Sequence, residues 1–109
     1  MSDNPIRRFT LLVLFQAQHD RAEELVVAPA TGEGSPIRYK VEGTWYDMAP
    51  PPASIIPGVV TELERLAAFA RRPFPKEGLI DITYSGIRLR WIIRMTSAAA
   101  GCVLTPIEP

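Results

Sequence analysis

Two stretches of this chain alternate side-chain character with period two, which restricts each to a strand with one covered and one open face. In the first, Ile37, Tyr39 and Val41 fall on one side and Arg38, Lys40 and Glu42 on the other. In the second, Ile87, Leu89, Trp91, Ile93 and Met95 oppose Arg88, Arg90, Ile92 and Arg94. A sheet of this kind needs a cover for its apolar side. Residues 56–70 supply one, because Ile56, Val59, Val60, Leu63, Leu66, Ala67 and Ala70 recur at intervals of three and four while Thr61, Glu62 and Arg65 lie off that stripe.

The remaining elements follow from punctuation. Asn4 before Pro5 is a helix start, a side-chain cap followed by a ring already at helical φ, and Ile6, Phe9, Leu12, Val13 and Gln16 trace one face of a helix over residues 5–21. The apolar run Leu11 to Phe15 also fits a buried strand. Residues 23–29 read as a strand and Ala30 to Ser35, with Gly32 and Gly34, as a hairpin loop. Glu42-Gly43 turns into a strand over residues 44–48, completing a three-strand meander.

Pro50 to Pro52 form a stiff spacer, and Ser54 is the expected cap of the second helix. Pro73 and Pro75 end that helix, residues 78–84 and 87–96 form a hairpin about Ser85-Gly86, and residues 102–107 form a last short strand. The order predicts an α+β domain: an antiparallel sheet of five or six strands with two helices packed on one face.

Composition narrows the functional classes. The chain has 109 residues, enough for one domain that buries roughly two-thirds of its unfolded surface. Twelve basic and twelve acidic residues cancel, so no general attraction for nucleic acid or anionic lipid is expected and any charged site must be local. Leu11 to Phe15 is far short of the ~20 apolar residues of a spanning helix, so no membrane insertion is expected. Arg7 and Arg8 before that run imitate a signal peptide, but the apolar core is too short and Asp3 precedes them. The single cysteine, Cys102, permits no internal disulfide and fits a reducing cytoplasm as a buried thiol.

No catalytic constellation emerges. None of the glycines at 32, 34, 43, 58, 78, 86 and 101 precedes a lysine, so a phosphate loop is excluded. His19 is the sole histidine and sits in the last turn of the first helix, where an imidazolium favours the helix dipole. With one histidine and one cysteine a transition-metal site lacks ligands, and a serine nucleophile lacks its elbow. Glu23 and Glu24 alternate to opposite faces and cannot share a substrate. The reading is therefore non-enzymatic, with no cofactor and no metal.

The candidate site is Arg38, Lys40, Arg88, Arg90 and Arg94 on the open face. Alternate residues lie about 6.5 to 7 Å apart, so such a row suits an extended anion or an acidic partner surface. The competing reading is a solvated face whose arginines pair with Glu42, Asp47 or Asp81. Arg90 and Arg94 spell Arg-x-x-x-Arg, a pattern of cyclic-dinucleotide binders that is common by chance. Trp45 and Tyr46 are expected half-buried under a helix.

IRYKVEG at residues 37–43 resembles the "Arg-Tyr-Arg-hydrophobic-Asp-Gly" strand and turn of the amino-terminal domain of bacterial type II secretion and type IV pilus ATPases. LLVLFQAQHDRAEELVVAP is similar to that family's first helix and strand, and PPP with the following helix to its proline-led helix. PKEG is similar to its "Pro-Gln-Asp-Gly" turn, and IRLRW to its "hydrophobic-Asp-Leu-Arg-Val" strand. The likeness runs from about residue 9 to residue 102 and implies a PAS-like arrangement of sheet and helices.

The sequence departs from that pattern at several points. Ala22 to Val26 stand where the family has Ala-Ser-Asp-Ile-His, Glu64 where it has a lysine, Arg88 where it has an aspartate, and two residues are missing before Pro75. The resemblance implies a diverged relative without the motor domain, free-standing or cut from a longer protein. It also implies that Arg38 and Arg90 correspond to arginines that reach nucleotide phosphates held by the motor. Docking on a secretion or pilus ATPase is the implied function, and a PAS-like nucleotide sensor using Arg38, Arg88 and Arg90 is the alternative.

Overall fold

The structure, a computed structural model, describes residues 4–27, 36–48, 55–69, 72–97 and 100–107. It is an α+β fold in the order α1 (Pro5–His19), β1 (Glu24–Val27), β2 (Ile37–Val41), β3 (Thr44–Asp47), α2 (Ile56–Leu66), β4 (Lys76–Tyr84), β5 (Ile87–Met95) and β6 (Cys102–Pro106). The strands form one antiparallel sheet in the order β3-β2-β1-β6-β5-β4. The first and last strands of the chain therefore meet in the middle. The expected loop over residues 30–35, the proline spacer, the Ser54 cap and Ala70 lie outside the described residues.

Local chemistry explains the ends of the elements. Asn4 Oδ1 accepts from the Ile6 and Arg7 amides at 3.0 and 3.2 Å, relieving two donors that the first turn of α1 leaves without carbonyls. Both tight hairpins use two residues at positive φ, Glu42 and Gly43 at 50° and 82°, Ser85 and Gly86 at 51° and 78°. That pair of angles is the type I′ turn, whose twist matches that of the strands it joins.

Both helices close in the same way. Ala22 N–H donates to Ala17 O and Arg21 N–H to Gln18 O, with Arg21 at φ 60°. Phe69 N–H donates to Glu64 O and Ala68 N–H to Arg65 O, with Ala68 at φ 57°. This is the left-handed helix stop usually given to glycine. It ends α1 at His19 rather than residue 21 and α2 at Leu66, although the apolar stripe runs on to Ala70. Turning the chain at Ala68 delivers the Phe69 ring into the core, where it is fully buried.

The sheet's inner face carries Leu25, Val27, Ile37, Ile80, Leu89, Trp91, Ile93, Cys102 and Leu104, all buried against Val13, Leu14 and Ala17 of α1 and Val59 and Leu63 of α2. Both helices lie on this face. Phe15 meets Tyr84 edge-on at 6.0 Å between ring centres, and a Cβ at Gly78 would stand 2.9 Å from the Phe69 ring. Gly58 likewise admits Ile6 where the two helices touch. The indole N–H of fully buried Trp91 finds no acceptor among the described residues.

A lysine enters this interior. Lys76 begins β4, two residues before the sequence suggests a strand, and its side chain is only 2 % exposed. Its Nζ donates to Glu64 Oε2 at 2.7 Å and sits 4.9 and 4.6 Å from the centres of the Phe69 and Phe74 rings. Carboxylate and aromatic faces together replace the ammonium's lost hydration. Lys76→Met, which leaves Glu64 without its partner, should destabilise the fold by about 3 kcal/mol in urea unfolding, and Glu64→Leu added to it should restore most of the loss. A single variant with the wild-type midpoint would show that the pair does not hold α2 to the sheet.

Candidate functional site

The side of the sheet opposite the helices collects all five cations predicted from alternation. Register pairs Arg38 with Val26, Val26 with Val103, Val103 with Arg94 and Arg94 with Glu77, one continuous row across five strands. The next rows pair Lys40 with Glu24, Ile92 with Thr105 and Leu79, and Arg90 with Asp81. With neighbouring strands about 4.8 Å apart, Arg38 and Arg94 stand about 14 Å from one another, with two valines between them. Val26 and Val103 form an apolar spot at the centre of the face, bordered by Glu24 and Thr105 on the same two strands, and the margins are ionic.

The same register supplies partners for the arginines. Arg38 faces Asp47 across the β2–β3 ladder and its Nε donates to Oδ1 at 2.7 Å. Arg88 sits opposite Thr83 but reaches diagonally to Asp81, donating from Nε and Nη2 at 2.9 Å each. Arg90 Nε lies 3.5 Å from Asp81 Oδ2, the oxygen that also accepts from Arg88 Nη2, and Arg94 Nη1 lies 4.0 Å from Glu77. Pairing through Asp47 and Asp81 was expected of a solvated face. Glu42 takes no part because it occupies the hairpin turn at positive φ. Lys40 has no ion pair among the described residues.

Trp45 and Tyr46 depart from expectation. They are 37 % and 48 % exposed rather than sheltered by a helix: β3 is an edge strand, and Trp45 pairs with Lys40 on the face opposite the helices. Trp45 shares the outer face with Arg38, whose guanidinium carbon stands 5.6 Å from its ring centre, and Tyr46 packs on Tyr39 at 6.0 Å.

Where β5 and β6 approach the end of α1, the outer face falls into a cleft of about 830 Å³ lined by Gln18, Arg21, Ala22, Arg88, Arg90, Pro106 and Ile107. Two contacts build it: Gln18 Nε2 donates to Arg88 O at 2.7 Å, and Ile107 N–H to Arg90 O at 3.1 Å. Arg38, grouped from the sequence with Arg88 and Arg90 as a ligand site, does not line this cleft. Arg21 takes its place. Sequence reasoning missed Arg21 by counting it within the first helix, and the only signal was its position just beyond a helical run.

Two carboxylates are held below their ordinary range. Asp20 is lowered first by the hydrogen bond from Gln16, then by that from Tyr39, with His19 adding to both. Asp81 is lowered chiefly by its hydrogen bonds from Arg88, with the charges of Arg88 and Arg90 adding. Burial pushes the Cys102 thiol up to about 12, so it is protonated at neutral pH, as expected of a core thiol. No helix among the described residues is long and apolar enough to cross a membrane, and no group of three histidine, cysteine or acidic side chains gathers there.

Neither known protein families nor curated proteins match this chain.

Because the Asp20 and Asp81 carboxyls are lowered in the folded state, their contribution is complete above the unfolded pKa of about 4 and disappears as pH falls through the folded values. Asp20→Asn and Asp81→Asn should therefore each lose less stability than the wild type between about pH 5 and about pH 2, measured as urea midpoints. Parallel midpoint losses in wild type and variants would exclude both carboxylates from the acid response.

Proposed function

We propose that this chain is a non-catalytic docking domain that offers its outer sheet face to an acidic protein surface. The observation that carries this reading is the gathering of Arg38, Lys40, Arg88, Arg90 and Arg94 on the one face that no helix covers, around Val26, Val103, Ile92 and the 46 % exposed Leu79. An apolar centre with a charged margin is the anatomy of a protein interface. The cross-strand carboxylates hold the arginines in place beforehand, which reduces the side-chain entropy lost on docking. At the Arg88 end the long guanidinium overlies the shorter Asp81, with side chains 66 % and 27 % exposed, so the surface met by a partner there is positive.

The resemblance of residues 9–102 to amino-terminal domains of secretion ATPases suggests the partner: the motor domain of a type II secretion or type IV pilus ATPase, or another component of that machine. The antiparallel sheet with both helices on one face supports this reading.

Titration against the cognate motor domain should give a dissociation constant of tens of micromolar or tighter, on the order of −6 kcal/mol. Reversing charge with Arg94→Glu should weaken binding about tenfold, with the effect shrinking at high salt as expected for marginal charges. Absence of binding in that range, with Arg90→Ala indistinguishable from wild type, would remove the docking reading.

A further inference from the structure

We propose that the cleft at the end of α1 binds a small phosphomonoester, with Arg21, Arg88 and Arg90 receiving the phosphate and Ala22, Pro106 and Ile107 receiving a compact apolar body. This site shares Arg88 and Arg90 with the docking face but rests on different observations. It is defined by a cavity rather than by the open face, and it uses Arg21, which belongs to no strand.

Charge is the first argument. Three guanidinium groups line or border the cleft, and the acidic side chain paired with them among the described residues is Asp81. Three positive charges against one negative leave two, the charge of a phosphomonoester near neutral pH. Arg21 makes no ion pair among the described residues, and Arg90 Nε is buried without a hydrogen-bond partner, held only by Asp81 at 3.5 Å. Arginine's planar fork suits phosphate oxygens in pairs. The volume of about 830 Å³ is within the range of small-molecule sites.

The placement of Arg21 is the second argument. Arg21 holds φ at 60° in the position where a helix stop favours glycine. Ala68 holds the same conformation at the end of α2, so the left-handed angle belongs to the helix stop and serves here to fix where Arg21 stands. Arg21 projects from a turn fixed by two backbone hydrogen bonds, Ala22 N–H to Ala17 O and Arg21 N–H to Gln18 O. Gln18 is fixed as well, since one amide hydrogen is engaged by Arg88 O and its Oε1 and second hydrogen remain for a ligand.

The carboxyl end of a helix disfavours an anion, which opposes the assignment. Here that field is reduced, because Gln16 O, Ala17 O and Gln18 O each accept a capping N–H. Asp20 is turned aside, accepting from Gln16 Nε2 at 2.9 Å and from the Tyr39 hydroxyl at 2.8 Å.

Titration of the whole chain with phenyl phosphate, inorganic phosphate and benzoate, followed by amide shifts in NMR spectra, tests the assignment. Phenyl phosphate should bind with a dissociation constant on the order of 1 mM or tighter, shifting Arg21, Ala22 and Ile107, with the other two probes at least about tenfold weaker. Arg21→Gly should weaken phenyl phosphate about tenfold while leaving the melting temperature unchanged or higher, because glycine accepts the left-handed conformation. Arg94→Gln, outside the cleft, should bind as wild type does. No shifts with phenyl phosphate, equal affinity for benzoate, or full affinity in Arg21→Gly would each overturn the site. None of these outcomes bears on Arg94→Glu and the motor domain.

Discussion

The antiparallel pairing of β1 with β6 is the contact on which the rest of this molecule depends. Leu25 faces Leu104, Val26 faces Val103 and Val27 faces Cys102, joining the first strand of the chain to its last. Without that seam there are two three-stranded meanders, each with an apolar face and an unpaired edge, and neither face is broad enough to bury a helix pair. With it, one continuous sheet presents a single inner surface to α1 and α2. The pairing spans almost the whole chain, so its loop-closure entropy is the largest of any strand contact here, and it is expected to form late in folding.

The seam also makes both proposed surfaces. It places Val26 and Val103 side by side as the apolar centre of the outer face, and it carries Arg38 into the same plane as Arg94. At its lower end it brings Ala22, just beyond α1, next to Pro106 and Ile107, which closes the cleft wall opposite Arg88 and Arg90. Electrostatics is settled at the level of neighbouring strands: Asp47, Asp81 and Glu77 hold Arg38, the Arg88–Arg90 pair and Arg94. A chain of zero net charge thus keeps a local positive site because a single aspartate is shared between two arginines while Arg21 stands apart.

Much of this was legible in residue order. Period-two alternation located β2 and β5, the turn at Ser85-Gly86 located β4, the Asn4-Pro5 start located α1, and the outward direction of all five cationic side chains followed from the pleat alone. Other features were not. The stripe toward Ala70 suggested a longer α2, because periodicity cannot see that Phe69 gains more by turning into the core than by continuing a helix. Trp45 and Tyr46 looked sheltered, because their exposure depends on which strand ends the sheet and which of its faces the helices cover. Lys76 read only as part of a turn, since the assembled core alone puts Glu64 and two phenyl rings around it.

By itself, then, the sequence determined which segments are strands and helices and which side chains share a face, because those follow from local geometry with fixed periods. Tertiary structure alone decided that the two ends of the chain pair at the centre, that Arg21 rather than Arg38 joins Arg88 and Arg90, and which carboxylate answers each guanidinium. Those outcomes rest on distances between residues far apart in the chain, and no period along a sequence encodes such distances.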